Sequence, residues 1–431
     1  MRMSEQEEKG LVPVLRFPEF RDAGGWKNTQ LGKIGDFTGG GTPSKSNDAY
    51  WQGNIPWVSS SDIYEDSIHE FNISRYITEE ALNDSATKLV PENSILLVSR
   101  VGVGKLAVSK SSVCTSQDFT SFTPVKDDLV FFGYYLKSRT KALLEHSQGM
   151  AIKGFTKDDV SKLDVHVPSL KEQQKIADCL ISVDDLITAQ TQKLDTLKTH
   201  KKGLMQQLFP AEGETVPKLR FPEFRDKGEW QTKSLIDIAT GGFSNGVFND
   251  PEKVGHGYKL INVLDMYIET PINESALSLV GISESEFLKN KVEPNDIFFT
   301  RSSLVKAGIA QSNIYLGCAD DITFDGHLIR LRPDQNVIAP MFLHYALKSS
   351  FVRSQLIAKG KTATMTTIGQ ADIASTKLPI PLLIDEQQKI ADCLASVDDL
   401  ITAQTQKLAT LKAHKNGLMQ QLFPAMDEVS A

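Results

Sequence analysis

Two segments of the chain carry apolar residues at alternating steps of four and three. In the first, Ile176, Val183, Leu197 and Leu204 form one series, and Leu180, Ile187, Leu194 and Leu208 form a second four residues on. Ile390, Leu394, Val397, Ile401, Leu408, Leu411, Leu418 and Leu422 repeat the pattern. This spacing lays one apolar stripe along a helix and is the heptad seam of a coiled coil. Gln190 and Lys201 interrupt the stripe, as polar seam residues do where register or orientation outweighs maximal stability. Phe209-Pro210 supplies the stop, since proline cannot continue a helix. A helix of about 35 residues rises roughly 50 Å, and a rod with one apolar stripe needs a partner for it. The nearest partner is its own duplicate; the plainer alternative is two helices, each packed on its own domain. An antiparallel coiled coil is predicted, because halves related by a twofold axis place equivalent helices head to tail.

The seam segments belong to an internal duplication. Glu172 to Pro210 matches Glu386 to Pro424, 214 residues later, at all but four positions. Leu15-Arg16-Phe17-Pro18-Glu19-Phe20-Arg21-Asp22 returns 204 residues on as Leu219 to Asp226, and a tryptophan follows each copy, Trp26 and Trp230. The unequal offsets mean that the stretches between these segments differ in length, and they also differ heavily in sequence. Each half is a constant frame around a variable insert. The expected order is a tail over 1–11, a first insert over 12–168, a helix over 169–210, a linker over 211–215, a second insert over 216–382, a helix over 383–424 and a tail over 425–431.

Inside the inserts the pattern is mixed. Ser94 to Ser99 and Asp296 to Thr300 read as strands, Phe131 to Leu144 and Pro340 to Ile357 as helices. The fold class is therefore α+β: two inserts of mixed α/β structure and two long helices in a pseudo-twofold repeat. Three loop features recur. Polar glycine-rich turns open the inserts at Gly39 to Lys45 and Gly241 to Gly246, where glycine permits close backbone approach to another molecule. After each strand just named come Arg100 with Lys105 and Arg301 with Lys306. Before each final strand lie Gly149 to Gly154, with Lys153, and Lys359 to Thr364, with Lys361. Any one of these reads most simply as a solvated loop, but recurrence in both inserts makes them candidate contacts. Arg and Lys pair with guanine, Asn and Gln with adenine, and Ser or Thr with bases or phosphates. The candidates are Thr42, Ser44, Lys45, Arg100, Lys105, Lys153, Ser244, Asn245, Arg301, Lys306, Lys359 and Lys361. Gln117, Asp118, Thr120 and Ser121 have suitable chemistry without distinctive spacing, and Trp51 and Trp57 read as packing.

Composition narrows the classes. Hydrophobic content of 40% with 23% charged residues is that of an ordinary globular protein. No apolar run reaches membrane-spanning length and the first ten residues are charged, so the cytoplasm is expected. Cys114, Cys179, Cys318 and Cys393 are too far apart for a disulfide framework or a metal site, and read as reduced core thiols. A net charge of −7 argues against nucleic acid, since phosphate contact needs Lys and Arg; a basic face or a partner can still supply them. Gly102-Val103-Gly104-Lys105 fails the phosphate-loop spacing, with Leu106 where a hydroxyl belongs. No nucleophile elbow, zinc pair or His/Cys cluster is present. A binding protein without metal or cofactor of its own is favoured over a coiled-coil adaptor that binds proteins through its inserts, or an enzyme with an unfamiliar site.

Several stretches resemble the specificity subunits of type I restriction-modification enzymes: Leu15 to Phe20, Gly40-Gly41-Thr42-Pro43-Ser44, Ile55-Pro56-Trp57-Val58, Pro168 to Ile176 and its copy Pro381 to Ile390. The resemblance covers nearly the whole chain and implies a non-catalytic, DNA-binding subunit. Each insert would be a target-recognition domain reading one half of a bipartite, asymmetric DNA site in the major groove, and the antiparallel helices would fix the unread base pairs between. The implied partners are double-stranded DNA, two methyltransferase subunits that bind S-adenosylmethionine and methylate adenine, and restriction subunits that use ATP and Mg.

Overall fold

The computed structural model describes residues 11–146, 154–248 and 253–424. The chain divides into two units, Met1–Gln190 with Lys407–Ala431, and Thr191–Gln406. In the first, Lys27–Gln30 pairs antiparallel with Asp164–Val167 and so joins the two ends of the insert. A four-stranded antiparallel sheet has the order Gly35–Gly39, Thr120–Pro124, Ser94–Leu97, Leu106–Ser109. A second sheet has the order Arg75–Ile77, Ile55–Val58, Val113–Thr115, Leu89–Val90, with its middle pair parallel. Ser94–Leu97 and Leu106–Ser109 are buried at every residue, which is why they lack polar alternation. The helix Leu129–His146 buries Phe131, Phe132, Tyr134 and Tyr135 in the same core as Ile95, Leu97 and Phe122.

The second unit repeats the plan with different residues. Gln231–Ser234 pairs with Lys377–Ile380, and the four-stranded sheet has the order Ala239–Asn245, Leu328–Pro333, Ile297–Thr300, Ser312–Ile314. A three-stranded sheet of Ser278–Val280, Val254–Ile261 and Ile322–Phe324 again contains one parallel pair. A small third sheet joins Ser302–Ser303, Thr366–Thr367 and Lys361–Thr362. Two local expectations are corrected. Pro340 to Ile357 is two helices, Pro340–Ala346 and Ser350–Lys359, because Ser349 takes an extended backbone as N-cap and its hydroxyl donates to the Ala346 carbonyl at 2.6 Å. Gly241 to Asn245 lies in a strand; Gly241 and Gly242 take positive φ, +72° and +74°, at a register shift between Ala239 and Phe243.

Both long helices form, Leu170–Leu208 and Ile384–Leu422, 39 residues each, and no residue of the seam is exposed. Within the first unit the start of one helix meets the end of the other. Trp26 donates its indole N–H to Glu172 and packs its ring 6.5 Å from Phe423, while further along, Asp184 pairs with Lys415 at 2.6 Å. Residue numbers rise on one helix as they fall on the other, so the pair is antiparallel there. Within the second unit Glu386 accepts from Trp230, whose ring lies 6.5 Å from Phe209, and Asp398 pairs with Lys201 at 2.5 Å. The polarity is again antiparallel. Lys201, which breaks the apolar pattern, and its duplicate Lys415 each form an ion pair with an aspartate of the other helix.

The helix ends do more than pair with each other, which extends the simple coiled-coil expectation. Leu422 and Phe423 enter the first unit's core beside Trp26, Phe131 and Tyr135, together with Ile176 and Leu180. Leu208 and Phe209 enter the second unit's core beside Trp230 and Phe342, together with Ile390 and Leu394. The repeated Leu-Arg-Phe-Pro motif locks this arrangement. Arg16 makes a bidentate pair with Glu172, both contacts at 2.8 Å, and Arg220 does the same with Glu386. With Glu172 only 2% and Glu386 only 1% exposed, each carboxylate depends on these donors and on the indole N–H. Gln173 and Gln387, next in sequence, accept from the backbone N–H of Asp128 and Ala339, at 2.8 Å each, at the start of the insert's helix. The constant segments thus hold each insert by its ends.

Arg220→Ala is expected to destabilise the second unit by about 3–5 kcal/mol, the cost of orphaning a buried carboxylate, read by native-state hydrogen exchange. A loss below about 1 kcal/mol would rank the pair with surface ion pairs instead. A double-mutant cycle with Asp184→Asn and Lys415→Met is expected to show a coupling of about 1–3 kcal/mol; additive effects would mean that this ion pair does not couple the helices.

Candidate nucleic-acid interface

Among the described residues, the loop features recurrent in the sequence gather at one end of the four-stranded sheet in each unit, the third feature of the first unit being represented there by Gly154 alone. In the first unit the turn after Gly35–Gly39 is drawn in by Gly40 N–H donating to the Phe119 carbonyl at 3.4 Å and Gly41 N–H to that of Thr115 at 2.8 Å. A Cβ at Gly40 would stand 1.9 Å from the Ser116 carbonyl oxygen, and one at Gly41 2.4 Å from Ala86 and Thr87. These glycines therefore serve close packing within the protein, a correction to their reading as points of approach for another molecule. The packing places Thr42 in hydrogen-bond contact with Gln117. Ser44 and Lys45 are exposed.

Ser99 N–H donates to the Asp118 carbonyl at 2.7 Å, and Phe155 N–H to that of Ser99 at 3.0 Å. Exposed Arg100 thus stands between the Gln117-Asp118 turn and the segment entering at Gly154. Lys105 closes the same loop, its carbonyl accepting from Val98 N–H at 2.9 Å, and is half-buried. Lys153 lies outside the described residues.

In the second unit Arg301 N–H donates to the His327 carbonyl and Ile368 N–H to that of Arg301, at 2.9 and 3.0 Å. Exposed Arg301 and Lys306 therefore sit beside the hairpin that carries Lys361. Asn245 joins them but is occupied: its amide donates to the Leu328 and Gly326 carbonyls at 3.0 and 3.3 Å and accepts from Gln370 at 2.6 Å. The Ser244 hydroxyl is buried without a hydrogen-bond partner. Lys359 points inward, donating to the Asp372 carbonyl at 3.0 Å and the Ser375 hydroxyl at 2.8 Å, and burial pulls its ammonium below the usual lysine range. Lys361 is 79% exposed, 3.5 Å from Asp372.

The sequence reading did not single out Gln370, His327 or Arg353. Gln370 falls just past the loop it flagged, and His327 has no duplicate. Arg353 lies on a helix distant in sequence, yet donates to the carbonyls of Ala307, Ile309 and Ala310 at 3.0, 2.9 and 2.7 Å and so braces the Arg301–Lys306 loop. Trp57 is buried, edge-on to Trp51 at 5.1 Å, and donates to the Gly41 carbonyl; it packs, as expected. Cys114 is buried, its thiol pushed up to about 11 by burial, but Cys318 is exposed and is no core thiol. Among the described residues no cluster of three or more His, Cys, Asp or Glu could hold a metal ion, and no helix is long and apolar enough to cross a membrane.

The model of the type I restriction modification DNA specificity domain matches residues 23–199 and again 227–413. The chain belongs to this family, with one copy in each half. It is 32% identical over 227 residues to the MjaIX specificity subunit of Methanocaldococcus jannaschii, covering 49% of this chain and 51% of that one. It is 34% identical over 177 residues to the EcoR124I/EcoR124II specificity subunit of Escherichia coli, covering 39% and 43%. The matched stretches span about half the length of these two relatives. The MjaVIII specificity subunit of M. jannaschii aligns at 22% identity over 98% of this chain and 96% of its own. The solved S subunit from M. genitalium shares the fold, with a TM-score of 0.58 at 14% identity over 97% of this chain and 100% of that one.

Arg301→Ala is expected to cost about 1–3 kcal/mol of DNA affinity and to relax preference at one base position. Lys306→Ala is expected to weaken all sequences alike and lower the salt slope by about one. Competition binding on randomised duplexes at several salt concentrations measures both; two variants with identical, sequence-independent losses would remove Arg301 as a base reader.

Proposed function

We propose that this chain is the non-catalytic DNA-reading subunit of a type I restriction-modification complex. Each unit reads one half of a bipartite, asymmetric site, and the paired helices hold constant the number of base pairs left unread. The observation that carries this reading is the contrast between frame and inserts: near-identical helices, yet unlike residues at the corresponding loops after the first sheet strand and around Arg100 and Arg301. Identical frames give both units one way of docking, and unlike loops make the two half-sites differ. Arg100, Lys105, Arg301 and Lys306 are the leading contacts, then Thr42, Ser44 and Lys45; Lys361 adds charge, and Lys359, Ser244 and Asn245 shape the surface from below. Two methyltransferase subunits that bind S-adenosylmethionine dock on the constant segments, and restriction subunits supply ATP- and Mg-dependent cleavage. The acidic net charge of the chain suits this division, with the partners providing much of the phosphate contact.

Co-expression with a cognate methyltransferase subunit, followed by mapping of methylated adenines, tests the proposal. The expected motif has two unlike halves around a fixed unread spacer, and replacing residues 36–163 by the insert of a relative changes one half only. Methylation without sequence preference, or DNA binding indifferent to salt, would contradict it and favour a protein-binding adaptor.

A further inference from the structure

The loop between Arg301 and Lys306 ends in an apolar point. Leu304 is 86% and Val305 65% exposed, more than any other pair of adjacent large apolar side chains among the described residues. The point is held firmly. Ser302–Ser303 pairs with Thr366–Thr367, Val305 N–H donates to the Ser303 hydroxyl at 3.3 Å, and Gly308 N–H returns to the Val305 carbonyl at 3.0 Å. On the far side Arg353 clamps three carbonyls, and Ala310 sits at φ +51°, a conformation kept only where surroundings impose it. A loop free to move would fold such side chains against the protein; here the scaffold keeps them in water, flanked by exposed Arg301, Lys306 and Lys361.

We infer that Leu304 and Val305 read thymine through its 5-methyl group in the major groove. The inference rests on the DNA-reading proposal and adds the base that this unit recognises without a hydrogen bond. The cationic rim suits phosphates, and the thymine methyl is the apolar group that the major-groove edges of base pairs present. The first unit carries the same device in another form: Val101, 68% exposed, stands between Arg100 and Lys105 in a loop turned by Gly102 and Gly104 at φ +84° and +87°. A shorter side chain on a different loop gives that unit a different reach.

The test uses the full chain in complex with its methyltransferase subunits and duplexes carrying the mapped site. Each thymine of the half read by the second unit is replaced in turn by deoxyuridine, which removes only the methyl. One replacement is expected to weaken wild-type binding about three- to tenfold, the effect of one apolar group leaving a contact. Leu304→Ala is expected to bind the thymine duplex more weakly and to lose that response. Wild-type binding indifferent to every replacement, a half-site without thymine, or a Leu304→Ala complex with an undiminished response would each overturn the inference. So would failure of Leu304→Ala to assemble with the methyltransferase, which would make the tip a protein contact. Loss of preference for the mapped duplex over a scrambled one in the wild type would instead sink the DNA-reading proposal itself, and the inference with it.

Discussion

The apolar end of each long helix is buried in a core that its own half of the sequence does not supply. Leu422 and Phe423 follow the second insert in the chain, yet they pack on Trp26, Phe131 and Tyr135 of the first unit. Leu208 and Phe209 follow the first insert and pack on Trp230 and Phe342 of the second. Burying one Leu or Phe side chain contributes roughly 1.5–3 kcal/mol, a sizeable share of the usual stability of a domain. Each unit is therefore completed only when both helices are present with opposite polarity, and within each unit one ion pair, Asp184–Lys415 or Asp398–Lys201, joins them.

This double duty explains why the frame is nearly identical in the two halves. Each helix begins in one core and ends in the other, so a residue at its start and its duplicate face equivalent surroundings and need the same chemistry. The exceptions follow the same logic. Of the four differing pairs, Asp195/Ala409, Thr199/Ala413 and Lys202/Asn416 are exposed on both helices, and only Ile181/Ala395 is half-buried. The inserts are fastened at their ends, through the Arg-Glu-Trp lock and the edge pairing of Lys27–Gln30 with Asp164–Val167, so their loops are free to differ. Constancy of frame and divergence of the insert loops thus have one origin in the packing.

The helices were legible because a heptad stripe and a near-perfect repeat are properties of local sequence, as were the buried strands at Ser94 and Ile297. The destination of the stripe was not. Periodicity says that Leu208 and Leu422 are buried but not in which core, and nothing in spacing links Arg16 to Glu172, 156 residues apart. The break at Ser349 and the strand through Gly241 were hidden because capping and tertiary pairing overrode the apolar pattern and the glycine signal. At the candidate interface, recurrent loops lie together because the two inserts share a fold. Recurrence could not separate Lys361, which reaches solvent, from Lys359, which caps the Asp372–Thr376 turn, nor foresee that Arg353 braces a loop far away in sequence.

Native-state hydrogen exchange on the full chain carrying Leu422→Asp and Phe423→Asp tests the exchange of helix ends most directly. Protection is predicted to collapse in the strands Ser94–Leu97 and Leu106–Ser109, while Ile297–Thr300 and Leu328–Pro333, the nearer neighbours in sequence, keep theirs. Loss confined to the strands of residues 219–383, with the first insert untouched, would contradict the account.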